Sequence, residues 1–185
     1  MRCYKAEPMS RREIRMLVRR MRKLLGISDK KRVDVIKLLE NILPILYEDA
    51  FSYEIVPDEE LEVMALTTPN EGKILIRDSV YVGACEGNGR DRFTIMHEIA
   101  HFFLHRGMKV RLARGNEEIR RYEDPEWQAD AFAGEFLMAY DVAKDMEIPE
   151  IVLKCGVSVT AARCQYRHYQ KEKRQDQNPI FKMFI

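Results

Sequence analysis

Residues 92–105 read RFTIMHEIAHFFLH, and this stretch decides the fold. Apolar side chains fall at Phe93, Ile95, Met96, Ile99, Ala100, Phe102, Phe103 and Leu104. That density predicts a helix over Arg92–His105 that is buried nearly all round. Gly107 stands just beyond it as a stop signal. Three polar residues interrupt the pattern: His97, Glu98 and His101, an H-E-x-x-H motif. Residues four apart share a helix face, with Cβ atoms about 6 Å apart. Two imidazoles at that spacing bind one zinc ion, and the glutamate beside the first can act on a water as general base. Unpaired polar groups in a core are costly, and a metal supplies their partner. The plainer alternative is a pair of core histidines satisfied by hydrogen bonds.

A catalytic zinc ion takes three protein ligands and keeps one position open. The third ligand is sought in residues 123–138, EDPEWQADAFAGEFLM. Asp124 as N-cap and Pro125 at the first helical position open a helix that runs to Met138. Glu126 and Asp130, four apart, share one of its faces. Glu126 suits ligation. Asp130 suits accepting the spare N–H of a ligating histidine and so fixing its tautomer. Ala129, Ala131, Ala133 and Gly134 are small enough to let the two helices approach closely. Glu123, Asp124 and Glu135 compete with Glu126. The first two lie at or before the cap, and Glu135 lies about 13 Å along the axis from Glu126. Tyr122, Tyr140, His105 and Arg92 are candidates for stabilising an oxyanion or binding substrate. His105, one turn past His101, reads rather as a packing or supporting residue.

Outward from these helices, the chain of 185 residues has one-domain length. With 46% hydrophobic and 33% charged residues and a formal net charge of +1, it is neither a disordered chain nor a polyanion binder by bulk charge. No apolar run is long enough for a membrane span, and the charged start has no apolar signal core. Cys3, Cys85, Cys155 and Cys164 form no C-x-x-C pair and read as reduced thiols of a cytosolic protein. The chain reads as one α+β domain, 1–185, with a small, mostly antiparallel sheet packed against the two helices.

Residues 1–26 form a basic helix. Nine basic and two acidic side chains fall within residues 1–23. Ser10 and Glu13 form a capping box, Ile14, Leu17, Met21 and Leu24/Leu25 give the apolar stripe, and Gly26 ends it. It reads as an amphipathic helix docked by that stripe with a solvated basic face. The competing reading is a basic arm for nucleic acid or an acidic partner. A second helix is predicted from near Lys31 to Leu43, ended by Pro44. Phe51–Ile55 alternate as a strand, and residues 63–68 and 73–79 flank a PNEG turn as a hairpin. Residues 85–90, CEGNGR, form a glycine-rich loop without the ending of a phosphate loop. Pro149 opens a short helix, and Ser158 caps a last one, giving a helix pair over 149–174.

RFTIMHEIAHFFLHR followed by EWQADAFAGEFLM resembles the ImmA/IrrE family of zinc metallopeptidases, and the resemblance covers roughly residues 30–165. It implies a zincin-like, gluzincin-type helical core and an intracellular, cytoplasmic bacterial metalloendopeptidase. It further implies one Zn2+ per chain held by His97, His101 and Glu126, with Glu98 as catalytic acid/base. Relatives of this kind, often encoded on phages or mobile elements, act as anti-repressors that cut a helix-turn-helix repressor at one site. The chain departs from the family pattern at Ala100, where glycine is common, and at Leu137-Met138-Ala139-Tyr140, where proline often follows the methionine.

Two further readings compete. IVLKCGVSVTAARCQYRHYQKEKR (151–174) reads like a helix-turn-helix whose second helix carries Arg163, Arg167, Lys171, Lys173 and Arg174, as a DNA-binding module would. The alternative packs this pair on the peptidase as a closing layer, with Val157, Val159, Ala162 and Tyr166 inward. The third is a non-enzymatic regulatory interaction protein that keeps the zincin fold, against which Glu98 argues, since a purely structural zinc site does not need it. A substrate strand would add to a sheet edge, and KILIRD (73–78) is the edge that the sequence favours.

Overall fold

A computed structural model describes residues 4–107, 111–112 and 119–176. Cys3 and the tail from residue 177 lie outside the described residues. The elements are β1 (Tyr4–Lys5), α1 (Arg11–Leu24), α2 (Val35–Lys37), α3 (Leu43–Tyr47), β2 (Ser52–Val56), β3 (Ala65–Thr68), β4 (Lys73–Arg77), α4 (Asp78–Cys85), α5 (Gly89–His105), β5 (Arg111–Leu112), α6 (Pro125–Leu137), α7 (Tyr140–Ala143), α8 (Ile148–Cys155) and α9 (Val159–Asp176). This is the expected α+β class. One core runs from Ile14 and Val18 on α1, through α5 and α6, to Ala162 and Tyr169 on α9.

The sheet corrects two expectations. Its order is β2-β4-β3, with β2 parallel and β3 antiparallel to β4. It is therefore mixed rather than mostly antiparallel. The hairpin forms as read, pairing Thr68 with Lys73 across the PNEG turn. It folds back so that β4 slots between β2 and β3, which run in opposite directions, and pairing parallel with one of them is then unavoidable. KILIRD is consequently the central strand, and the open edge beside α5 is β3.

The second helix also departs from its reading. It starts at Val35, where the Asp34 carboxylate accepts the Lys37 N–H at 2.9 Å, and it runs on past Pro44. A π turn over Leu38–Ile42 makes this possible. Its wider spiral, with the Leu43 N–H reaching the Leu38 carbonyl, accommodates a ring that an ordinary turn would press against the carbonyl four residues back. The helix α4 was not expected, and the glycine-rich loop is only the short turn between α4 and α5, where Asn88 caps α5.

The capping box at Ser10 and Glu13 forms on α1. Its basic face, however, is only partly solvated. Glu135 on α6, only 1% exposed, accepts from Arg11 Nε at 2.9 Å and from Arg15 Nε at 2.9 Å. Arg15 also pairs with Glu172 of α9 at 2.8 Å. Arg22 is buried and donates to the Phe136 carbonyl at 2.6 Å and the Lys30 carbonyl at 2.5 Å. Three arginines of α1 thus face inward because α6 offers a buried carboxylate and an uncapped carbonyl there. Arg12, Arg20 and Lys23 stay exposed.

The helix pair α8–α9 packs on the domain. Arg92 of α5 donates to the Gly156 carbonyl at 2.7 Å, the Cys155 carbonyl at 3.3 Å and the Val33 carbonyl at 2.5 Å. Gly156 sits at φ +64°, and a Cβ there would lie 2.0 Å from Arg92 Nη1. This turn therefore demands glycine for conformation and for space. Val157, Ala162 and Tyr169 face inward, as does Gln165, whereas Val159 is exposed rather than buried.

Removing one partner of a buried ion pair strands the other. Glu135→Ala removes the buried carboxylate shared by Arg11 and Arg15, leaving them only Gln165 and Glu172, and should lower the unfolding free energy by about 3 kcal/mol. A urea melt of wild type against the variant measures it; a loss below about 1 kcal/mol would mean that the clamp is solvent-screened.

Candidate metal centre

The motif lies mid-way along α5, and Glu126 lies in the first turn of α6. Asp124 caps α6 by accepting the Glu126 N–H at 3.0 Å. The fully buried Ala129 and Ala133, with Gly134, let α6 approach α5 closely. His97 Nε2 lies 3.0 Å from His101 Nε2 and 3.2 Å from Glu126 Oε2, and His101 Nε2 lies 3.5 Å from Glu126 Oε1. Two tetrahedral zinc ligands with bonds of 2.0–2.1 Å lie about 3.3 Å apart. The three side chains are thus positioned for a metal site. The competing carboxylates are committed elsewhere. Glu135 is in the arginine clamp, Glu123 accepts the Arg120 N–H, and Asp124 is the cap.

The hydrogen bonds behind the histidines set their tautomers. His97 Nδ1 lies 2.9 Å from Asp130 Oδ1, so it carries the proton and leaves the Nε2 lone pair facing inward. His101 is set by a longer chain. Both N–H groups of Gln128 are spent, on the Glu7 carbonyl at 2.7 Å and the Tyr122 carbonyl at 2.8 Å. Gln128 Oε1 therefore accepts from His105 Nε2 at 3.0 Å. His105 Nδ1 is left as an acceptor, and His101 Nδ1 donates to it at 2.9 Å. Two Nε2 lone pairs then meet at 3.0 Å beside a carboxylate. A proton on His97 or a metal cation resolves that arrangement, and the donor set fits a divalent metal.

The charges agree. Burial penalises the His97 imidazolium, yet the carboxylates of Asp130, Glu126 and Glu98 outweigh that penalty and hold its pKa up at about 10. Glu126 is driven well below the usual carboxylate range by its contacts with His101 and His97. Burial pushes His105 down to about 4, aided by the neighbouring His101, so it is neutral as the chain requires.

Glu98 is buried in the wall of a cleft of about 540 Å³ that also receives His101, His105 and Glu126. Thr67 of β3 donates from Oγ1 to Glu98 Oε2 at 2.7 Å, and among the described residues Oε1 has no partner. The open edge of β3 forms one side of this cleft through Ala65, Leu66 and Thr67. Two of the oxyanion candidates are elsewhere: Arg92 is spent on carbonyls, and Tyr140 packs against Arg15 and Tyr169. His105 belongs to the chain behind His101. Tyr122, on the turn before α6, accepts from Arg120 at 2.7 Å through its hydroxyl. Sequence reasoning missed Thr67 and Gln128. Gln128 had a signal, a polar residue on the small-residue helix; Thr67 had none, since its partner is 31 residues away.

The family model described as the IrrE N-terminal-like domain, of the peptidase M78 type, matches residues 52–151. The match runs from β2 into α8, just over half the chain, and contains the sheet, the H-E-x-x-H helix and Glu126. No curated protein matches the chain.

Two outcomes test the centre. Because the folded pKa of His97 lies above its ordinary 6.5, its protonation stabilises the chelator-stripped protein fully below pH 6.5, and that contribution is lost as pH rises through about 10. The stripped protein should therefore melt progressively lower from pH 6.5 towards pH 10, and stoichiometric zinc should flatten the slope. Gln128→Leu removes the acceptor that sets His105 and should weaken zinc binding about 10–100-fold in a chelator competition assay.

Proposed function

The chain belongs to the IrrE N-terminal-like family of peptidases, and from that premise we propose that it is a zinc-dependent endopeptidase. The carrying observation is the convergence of the ligand atoms of His97, His101 and Glu126 within 4.8 Å of one another, beside a cleft that His101, Glu126 and Glu98 line. Two imidazoles and a carboxylate are a ligand set of catalytic zinc sites. Zinc bound there supplies Lewis acidity for the scissile carbonyl and lowers the pKa of a water toward about 7.

The remaining work falls to the protein. Thr67 holds Oε2 of Glu98, so that Oε1 takes the proton of the attacking water and passes it to the leaving amine. Asp130 and the Gln128–His105 chain hold the imidazoles against rotation. An extended substrate adds along β3, the open edge, which brings its backbone beside Glu98. Tyr122 is the oxyanion donor in this reading. Its phenol hydrogen is left over by the contact with Arg120, and its carbonyl ties the turn to Gln128.

The substrate in this reading is a helix-turn-helix repressor of a phage or mobile element, cut at one site, which makes the protein an anti-repressor of the bacterial cytoplasm. Family membership and the motif resemblance support it. Among the described residues no helix is long and apolar enough to cross a membrane. Residues 1–185 act as one metallopeptidase domain, a reading supported by the core shared between α1, α6 and α9. The turn between α8 and α9 lies against Arg92, and Thr160 and Ala161 line a cavity with Phe93. With Val157, Ala162 and Tyr169 buried in the shared core, that packing supports a closing layer.

Glu98→Gln should retain one zinc per chain and lower repressor cleavage by at least about 100-fold, whereas His97→Ala should lose the metal. Metal analysis and a gel-based cleavage assay with the repressor encoded beside the gene read both. Undiminished biological activity of Glu98→Gln would replace the enzyme reading by the non-enzymatic one.

A further inference from the structure

A second cavity, of about 410 Å³, lies between α5, α6 and α9 and shares no lining residue with the metal cleft. Its size is within the range of small-molecule sites. Its charges do not cancel. Arg11 at its wall is held by Glu135, and Asp130 is held by His97. Arg90 and Arg121 also line it, and among the described residues neither pairs with a carboxylate. Arg121 instead lies over the ring of Trp127, 5.5 Å from its centroid. The cavity therefore carries two guanidinium groups that form no ion pair among the described residues, Arg90 having only the electrostatic influence of the adjacent Asp91.

The rest of the lining adds direction. Phe93 and Trp127, both half-buried, supply flat apolar surface. Ser158 and Thr160 bring the first turn of α9 to the wall. The Ser158 hydroxyl caps Ala161 at 3.2 Å, so the N–H groups of Val159 and Thr160 are left for another acceptor. Fork-shaped donors, helix N–H groups and aromatic faces together select an anion attached to a planar ring.

We propose that this cavity binds a small phosphomonoester bearing a planar ring, a nucleoside monophosphate being the representative ligand. Arg90, Arg121 and the start of α9 take the phosphate, and Phe93 and Trp127 take the ring. The site adjoins the metal centre through Asp130, which lines the cavity and holds His97. It does not depend on the peptidase reading.

Trp127 is the single tryptophan of the chain, so its fluorescence reports on the cavity directly. The full chain is titrated with adenosine 5′-monophosphate by calorimetry and by red-edge tryptophan fluorescence. Saturable submillimolar binding is expected, weakened at least tenfold in Arg90→Ala/Arg121→Ala and unchanged in Arg167→Ala, an exposed cation outside the cavity. Both substituted arginines are exposed, and an unchanged melting temperature confirms that the double variant folds. Adenosine alone and inorganic phosphate alone should each bind at least tenfold more weakly. No saturation by about 5 mM, or equal binding by the double variant, overturns the proposal. So does adenosine or phosphate matching the nucleotide. A single-stranded oligonucleotide that binds far tighter, and loses that advantage in Arg167→Ala, would replace the pocket by a nucleic-acid surface.

Discussion

The close approach of α5 and α6 is the constraint on which the metal centre depends. All three proposed ligands, both supports of their tautomers and the neutral His105 sit on these two helices. Polar contacts of 2.9–3.2 Å span the seam at His97–Asp130, His105–Gln128 and His97–Glu126. Each fails if the helices part by an ångström. Alanine and glycine on α6 are what permit the distance, because larger side chains would hold the axes apart. The small residues are therefore part of the site although none touches it chemically.

The opposite requirement is met elsewhere on α6. Away from its small residues the helix buries bulk of its own, with Phe132, Phe136 and Leu137 fully enclosed. Glu135 supplies another anchor by gathering Arg11 and Arg15 of α1, and Arg15 reaches Glu172 of α9. Arg22 closes the far end on the Phe136 carbonyl. These contacts couple α6 to helices outside the family match. Buried ion pairs add orientation more dependably than net stability. Here they fix α6 about its own axis, and so fix which face meets α5.

The sheet contributes less mass and as much geometry. Because β4 lies centrally, β3 is the edge and runs along α5. Thr67 thereby reaches Glu98, and an open backbone edge faces the cleft. One crossover decides both.

Much was legible from the sequence by itself. The helix α5, the shared face of His97 and His101, the capped start of α6, the capping box of α1 and the hairpin all rest on contacts within a few residues. Helix and turn geometry hold such contacts in a fixed relation, so spacing alone reveals them. Tertiary structure decided the rest. It chose Glu126 over Glu135 by giving Glu135 two arginines, turned half of a basic face inward, and carried a helix past Pro44 through a π turn. It also made Lys73–Arg77 central and gave Glu98 and His101 their partners, Thr67 and, through His105, Gln128. These outcomes depend on groups distant along the chain meeting in space. No local periodicity encodes such meetings, because packing selects one partner among several of equal local merit.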